Sequence, residues 1–333
     1  MRILALQLKR IGDLILTTPA LSALRAAHPR AEIALAVAPG CASLLGAIDS
    51  ISSGIVLGRG RGFAPWQQVL SGPWDLCFDF TGSDRSALAV AASRARERVT
   101  FSWVQRSKVR SLAYSRFVES PVRERHTVDH YLDLVGAETP REPHLKLPES
   151  ARVAADEMLL GLEIARPFVL VHPGSARPEK YWLAERWAEV IRALKLPCIL
   201  TCGPDSFERD HAARIQSATV FPDDLPTLAA LIERAALVIS CDTAAVHFAA
   251  AFARPQIALF GPTNPFHWRP RHDRALVLSA AHPGEPLRDF RPKMKGAPME
   301  CISTAAVIRA TNALLAAEDA RELPRNGPEK SIP

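Results

Sequence analysis

Leu237-Val238-Ile239-Ser240-Cys241-Asp242-Thr243-Ala244-Ala245-Val246-His247-Phe248-Ala249-Ala250-Ala251-Phe252-Ala253-Arg254-Pro255-Gln256-Ile257-Ala258-Leu259-Phe260 reads as strand, turn, helix and strand. An apolar run of strand length stops at a polar turn, a small-residue helix over Thr243–Phe252 follows, and the run Gln256–Phe260 closes the unit. Two parallel strands need such a crossover, and continuous apolar strands are those covered on both faces. The stretch therefore predicts an α/β fold with parallel sheets.

The same alternation extends in both directions. The first half predicts strands at Ile3–Leu8, Ile33–Val37, Leu76–Phe80 and Val99–Phe101, with helices at about Leu14–Ala27 and Ser86–Arg96. The Pro-bearing stretch from Thr139 to Pro148 then interrupts the periodicity as a linker does. The second half predicts a helix at Ala151–Leu162, strand Phe168–His172, helix Leu183–Leu194, strand Cys198–Cys202, helix Phe207–Gln216 and helix Leu225–Arg234 before the opening stretch. Strand Leu276–Leu278 and a helix over Thr304–Glu318 come after it. At 333 residues and 48% hydrophobic content, the chain exceeds the usual span of one domain. Two domains are expected, 1–148 and 149–321, with a disordered tail over 322–333.

Composition narrows the class. Six scattered cysteines lack zinc-site spacing and disulfide-scaffold density, and Cys198 and Cys202 fall on one face of a strand, as core residues do. The N-terminus lacks the long apolar core of a signal peptide, and no run of ~18 apolar residues suits a membrane span. A reducing cytoplasm is the expected location. The net charge of +6 is matched by the segment Arg94–Arg125, where nine basic residues face three acidic ones. That segment reads either as a patch for an anionic acceptor or lipid headgroups, leaving peripheral membrane association open, or as a solvated Arg-rich surface. It lacks the aromatic interleaving of a stacking platform, so nucleic acid is not an expected partner.

Chemistry gathers where strands end, the usual ligand edge of such sheets. After the first strand, Gly12 and Asp13 occupy the strand-to-helix turn, where Asp13 is either a helix cap or a general base for an acceptor hydroxyl. The G-x-G-x-x-G of a dinucleotide enzyme is missing there, and Gly58–Gly62 reads only as a loop. The turn His172-Pro173-Gly174-Ser175 leads to Lys180 and Trp182. Gly174 and Ser175 offer backbone N–H groups to a phosphate, Lys180 offers a compact charge, and Trp182 suits a staple against the next helix. Asp205, in Gly203-Pro204-Asp205, suits a ribose contact or a helix cap. In the opening stretch, the helix start at Thr243 suits a diphosphate, Asp242 a cap or ribose contact, and His247 lies one turn beyond on the same face.

Together these turns, with Phe260-Gly261-Pro262-Thr263 and the G-D-(I/L)-x-x-x-T-P-A-L-like stretch Gly12–Leu21, resemble the lipopolysaccharide-core heptosyltransferases of glycosyltransferase family 9. The order and spacing of five pieces over most of the chain make the resemblance far more specific than any one motif. It implies a GT-B fold, with two Rossmann-like domains facing a central cleft, the first for the acceptor and the second for the nucleotide sugar. It implies inverting transfer of a heptose from ADP-heptose to an anionic glycolipid acceptor, with neither metal nor cofactor. In that picture Asp13 is the base, Lys9 and Arg10 lie on the acceptor side, and Ser175, Lys180 and Thr243 meet the diphosphate charge. Asp205 and Asp242 fall to the ribose, while His247 donates to a phosphate or orients Thr243. The family usually carries Asp-Thr-Gly where this chain has Asp242-Thr243-Ala244. That methyl group keeps another nucleotide sugar open as donor. An epimerase on the same scaffold, or a binding protein without turnover, is separated from a transferase by acceptor-dependent release of nucleoside diphosphate.

Overall fold

The computed structural model describes residues 1–58, 62–137, 142–164, 166–215, 217–222 and 224–322. The loop read across residues 59–61, the first linker residues 139–141, the helix end at Gln216 and the tail beyond Glu322 lie outside that description.

The first half runs β1 (Arg2–Gln7), α1 (Ile11–Ala27), β2 (Glu32–Val37), β3 (Ser53–Val56), α2 (Ala64–Leu70), β4 (Leu76–Asp79), α3 (Asp84–Ser93), β5 (Glu97–Phe101), α4 (Lys108–Ser111), β6 (Arg116–Val118) and α5 (Thr127–Leu134). Its strands form a parallel sheet in the order β3-β2-β1-β4-β5-β6. In β1, Ile3, Leu4, Ala5 and Leu6 are all fully buried. Ile3 and Ala5 pack with α1 residues Leu14 and Leu21, whereas Leu4 and Leu6 pack with Ala87 and Val90 of α3. Alternate side chains thus feed two helical layers, which explains the unbroken apolar run.

The second half runs α6 (Glu149–Gly161), β7 (Val169–His172), α7 (Ala184–Ala193), β8 (Cys198–Thr201), α8 (Ser206–Ile215), β9 (Thr219–Val220), α9 (Leu225–Arg234), β10 (Leu237–Cys241), α10 (Ala244–Ala251), β11 (Gln256–Phe260), β12 (Ala275–Ser279), β13 (His282–Leu287) and α11 (Thr304–Glu322). The sheet order is β13-β12-β11-β10-β7-β8-β9. One expectation is corrected here: this sheet is not wholly parallel, because β13 pairs antiparallel to β12 at the edge. The short turn between Ser279 and His282 leaves no room for the crossover a parallel partner needs. Cys202 is buried with Cys198 packed against the same cluster, as their spacing predicted.

Chain order reverses between β1 and β4 in the first sheet and between β7 and β10 in the second. Ligand crevices in open α/β sheets form at such switch points, so the turns after β1, β7 and β10 are the ones to examine. The two sheets face each other in the GT-B manner and share apolar packing: one continuous core holds Leu14 and Leu21 of α1, Leu44 of the 3-10 stretch Pro39–Ala47, Leu228 and Leu231 of α9, and Phe248 of α10. Contacts of α1 with α10, and of the 3-10 stretch with α9, cross between the halves. Among the described residues, no helix is long and apolar enough to cross a membrane.

Candidate active site

Helix α1 begins at Ile11, three residues before the expected start, so Gly12 and Asp13 lie in its first turn instead of the preceding loop. Arg10 is the N-cap, exposed and without a side-chain cap bond, which corrects the reading of Asp13 as the cap. The half-buried Asp13 carboxylate instead accepts a hydrogen bond at Oδ1 from the Tyr131 hydroxyl of α5, at 2.7 Å. Among the described residues its other oxygen has no hydrogen-bond partner, which leaves that oxygen available to a substrate proton. Burial, then the adjacent Asp13 charge, raises the Tyr131 pKa well above the ordinary phenol value, so the hydroxyl remains a donor. Lys9 Nζ lies 3.4 Å from the Tyr131 hydroxyl and 5.4 Å from its ring centroid. A cavity of about 890 Å³ opens beside this pair, lined by Lys9, Trp103, Arg106, His130, Tyr131 and Trp268. Aromatic rings and cations together suit a sugar that carries negative charge.

On the opposite side, the loop after β7 buries Ser175, whose Oγ lies 3.4 Å from the Arg177 N–H. It ends in a 3-10 turn at Lys180. Lys180 Nζ donates to Asp242 Oδ2 at 2.5 Å and approaches the Asp242 carbonyl at 3.4 Å. Both side chains are largely buried, at 13% and 7% exposure. This corrects the reading of Asp242 as a helix cap. The N-cap of α10 is Thr243, which has extended backbone angles and makes no side-chain bond to the helix. The Thr243 hydroxyl and the first amides of α10 thus face the site uncapped. An ammonium has three donors, and Asp242 engages two of them at most.

The two sides meet at His247. A Cβ built on Gly12 would lie 2.6 Å from His247 Cδ2 and 3.0 Å from Nε2, so only glycine lets the imidazole of α10 rest on α1. Burial lowers the His247 pKa, while Asp242 and Asp13 raise it and Lys180 lowers it, so the ring lies within reach of charges from both halves. Gly12→Ala is expected to push the ring aside and destabilise the fold by about 1–3 kcal/mol, the usual range for overpacking. Chemical denaturation would show this as a lower midpoint, and an unchanged midpoint would refute the close contact.

Other candidates separate into structural and exposed roles. The Asp205 carboxylate accepts from the Phe207 N–H at 2.9 Å at the start of α8, the capping alternative. Glu208, not singled out from the sequence, takes the more central place. Its Oε2 accepts from the Gly203 N–H at 2.5 Å, and a Cβ on Gly174 would lie 2.8 Å from that oxygen. The carboxylate thus sits between the turns after β7 and β8, and burial raises its pKa. Trp182 is the expected staple: it is buried and stands edge-on to Trp187, with ring centroids 5.1 Å apart.

The sequence profile of glycosyltransferase family 9 (heptosyltransferase) matches residues 63–296. The chain is 26% identical to lipopolysaccharide heptosyltransferase 3 of Escherichia coli (strain K12), over 95% of this chain and 98% of that protein. In fold it is similar to the family 9 glycosyl transferase of Veillonella parvula DSM 2008, with a TM-score of 0.81 and 24% identity over 95% of this chain and 97% of that one. It is also similar to E. coli ADP-heptose lps heptosyltransferase II, with a TM-score of 0.77 and 19% identity over 96% and 100% of the two chains.

Proposed function

The chain belongs to glycosyltransferase family 9, and from that premise we propose that it transfers a heptose from ADP-heptose to an anionic sugar of the lipopolysaccharide core. The observation that carries this reading is the meeting of Asp13 with the Lys180–Asp242 end of α10 through the Gly12–His247 contact. Its similarity to a lipopolysaccharide heptosyltransferase and to an ADP-heptose lps heptosyltransferase supports the choice of acceptor and donor.

In this reading the half over 1–148 holds the acceptor and that over 149–321 holds the donor. The acceptor enters the cavity beside Lys9, with Arg10 at its rim, and its hydroxyl gives its proton to Asp13. The freed oxygen attacks the anomeric carbon as the bond from that carbon to the diphosphate oxygen breaks. One displacement inverts the configuration, and ADP leaves with the bonding electrons. Lys180, the Thr243 hydroxyl, the α10 amides and Ser175 meet the charge growing on the diphosphate, so the step needs no metal. Asp242 anchors Lys180 in this role, and His247 closes the site from the side of Gly12. Glu208, with Asp205 capping the helix behind it, accepts from the ribose hydroxyls. Acceptors of this kind are lipid-borne, so the enzyme works from the cytoplasmic side in peripheral contact with the membrane.

Incubating the purified protein with ADP-heptose and other nucleotide sugars, with and without a truncated lipopolysaccharide acceptor, tests the proposal. Acceptor-dependent ADP release is expected from ADP-heptose. Release from a different donor would favour the second reading, for which the Ala244 methyl at the start of α10 is the specific reason. Epimer formation without an acceptor would sink the transferase reading.

A further inference from the structure

We infer that the outer layer formed by α2, α3 and α4 docks on an anionic phospholipid bilayer and holds the cavity mouth at headgroup level. The inference deepens the peripheral contact proposed above by assigning it a surface. The inner faces of these helices pack on the first sheet through Val69, Ala87 and Val90, with Val104 and Ala113 flanking α4. Their outward side chains are unusually apolar: Phe63 is 62% exposed, Leu70 40%, Leu88 61%, Val109 81% and Leu112 83%. Val109 and Leu112 are three residues apart across one turn, so they project together. Contacts of α2 with α3 and of α3 with α4 make the layer continuous.

Charge selects the partner. Residues 62–71 carry no charge, while α3, α4 and their flanks carry Arg85, Arg94, Arg106, Lys108 and Arg110 against Asp84 alone. Asp84 is already paired with Arg110 at 3.3 Å. Among the described residues, Arg85, Arg94, Arg106 and Lys108 have no carboxylate within ion-pair distance. Apolar side chains ringed by unpaired cations match a leaflet of anionic headgroups over acyl chains, where two weak signals add. A second copy is a poor occupant, because a two-fold contact would bring the same cations face to face. The surface also adjoins the site: Ser102–Arg106, the 3-10 turn leading into α4, lines the cavity through Trp103 and Arg106.

The test is co-sedimentation of the full chain with vesicles of phosphatidylglycerol in phosphatidylcholine, against phosphatidylcholine alone, without donor or acceptor. Wild type is expected to partition onto the anionic vesicles and to come off as salt rises. Val109→Asp/Leu112→Asp should lower that partition by about tenfold or more. Lys108→Glu should lower it less. Both variants should keep the wild-type melting temperature. No binding to either kind of vesicle would overturn the inference together with the peripheral contact, whereas equal binding to both would overturn the anionic bilayer as partner and leave the contact standing. Unaltered binding by the double variant would overturn the surface alone. A wild-type dimer abolished by the double substitution, without vesicle binding, would assign the face to self-association and overturn it as well. Because no turnover is read, failure of the heptosyl-transfer reading would leave the result standing.

Discussion

Asp13→Asn is expected to lower acceptor-dependent turnover by about 10²–10⁴-fold, the range for removing a general base. The substitution is close to isosteric, and an amide oxygen can still accept from the Tyr131 hydroxyl that now lies 2.7 Å from the carboxylate. Helix α1 should therefore keep its place, and the donor KM should stay near wild type. The loss should fall on kcat, because an amide cannot take the acceptor proton. Tyr131→Phe is a graded control: it removes the hydrogen bond but leaves the carboxylate, so about a tenfold loss is expected. Continuous measurement of ADP release separates these outcomes. If Asp13→Asn retains kcat within tenfold of wild type, the base lies elsewhere.

Acidification should destabilise the protein strongly between pH 6.5 and 4. Burial is the main cause lowering the pKa of His126 to about 3, of His130 to about 4 and of His172 to about 4. His126 uses both nitrogens as a neutral ring: Nδ1 accepts from the Val128 N–H at 3.2 Å, so Nε2 carries the proton and donates to the Arg269 carbonyl at 2.9 Å. His130 stacks on Phe101 with ring centroids 3.7 Å apart, and His172 lies against Thr201 at 3.0 Å. With folded pKa values below the unfolded value of about 6.5, the folded state binds fewer protons, and stability is lost as pH falls below that value. At pH 5 each ring should cost roughly 2 kcal/mol, and three together reach the total stability of many domains. Asp79 and Glu208, whose carboxyl groups are held up by burial, offset part of this. Urea midpoints should drop sharply from pH 7.5 to pH 5. Equal midpoints would show that these rings are charged in the folded protein.

The sequence spoke most clearly where burial is complete. Helix Leu225–Arg234 and strand Gln256–Phe260 match the expected limits end for end, because strongly apolar runs bounded by Asp, Arg and Pro leave little freedom in their placement. The short strands β3, β6 and β9 bury at most one side chain each and so lack the apolar run that marks the equally short β4, β7 and β8. Helix α5 was hidden for another reason: its buried surface is built from His130, Tyr131 and Thr127 as much as from Val128 and Leu132, so it reads as polar. Missing α5 meant missing Tyr131, the partner of Asp13. The Lys180–Asp242 pair spans 62 positions and leaves no local signal at either residue, so the sequence offers Asp242 only as a cap or a ribose contact. Asp13, Thr243 and His247 stood out because they follow strands at the two points of order reversal.

The core shared by α1, the Pro39–Ala47 stretch, α9 and α10 makes the two halves poor building blocks. Grafting the second half of a relative onto this first half, to change the sugar delivered, would set foreign side chains against Leu14, Leu21 and Leu44, and a side chain bulkier than imidazole at position 247 would strike α1 at Gly12. Functional chimeras should require α1, the 3-10 stretch, α9 and α10 to be taken from one parent. Evolution of donor preference under the same constraint would proceed through the turns after β7, β8 and β10 and leave the facing helices in place.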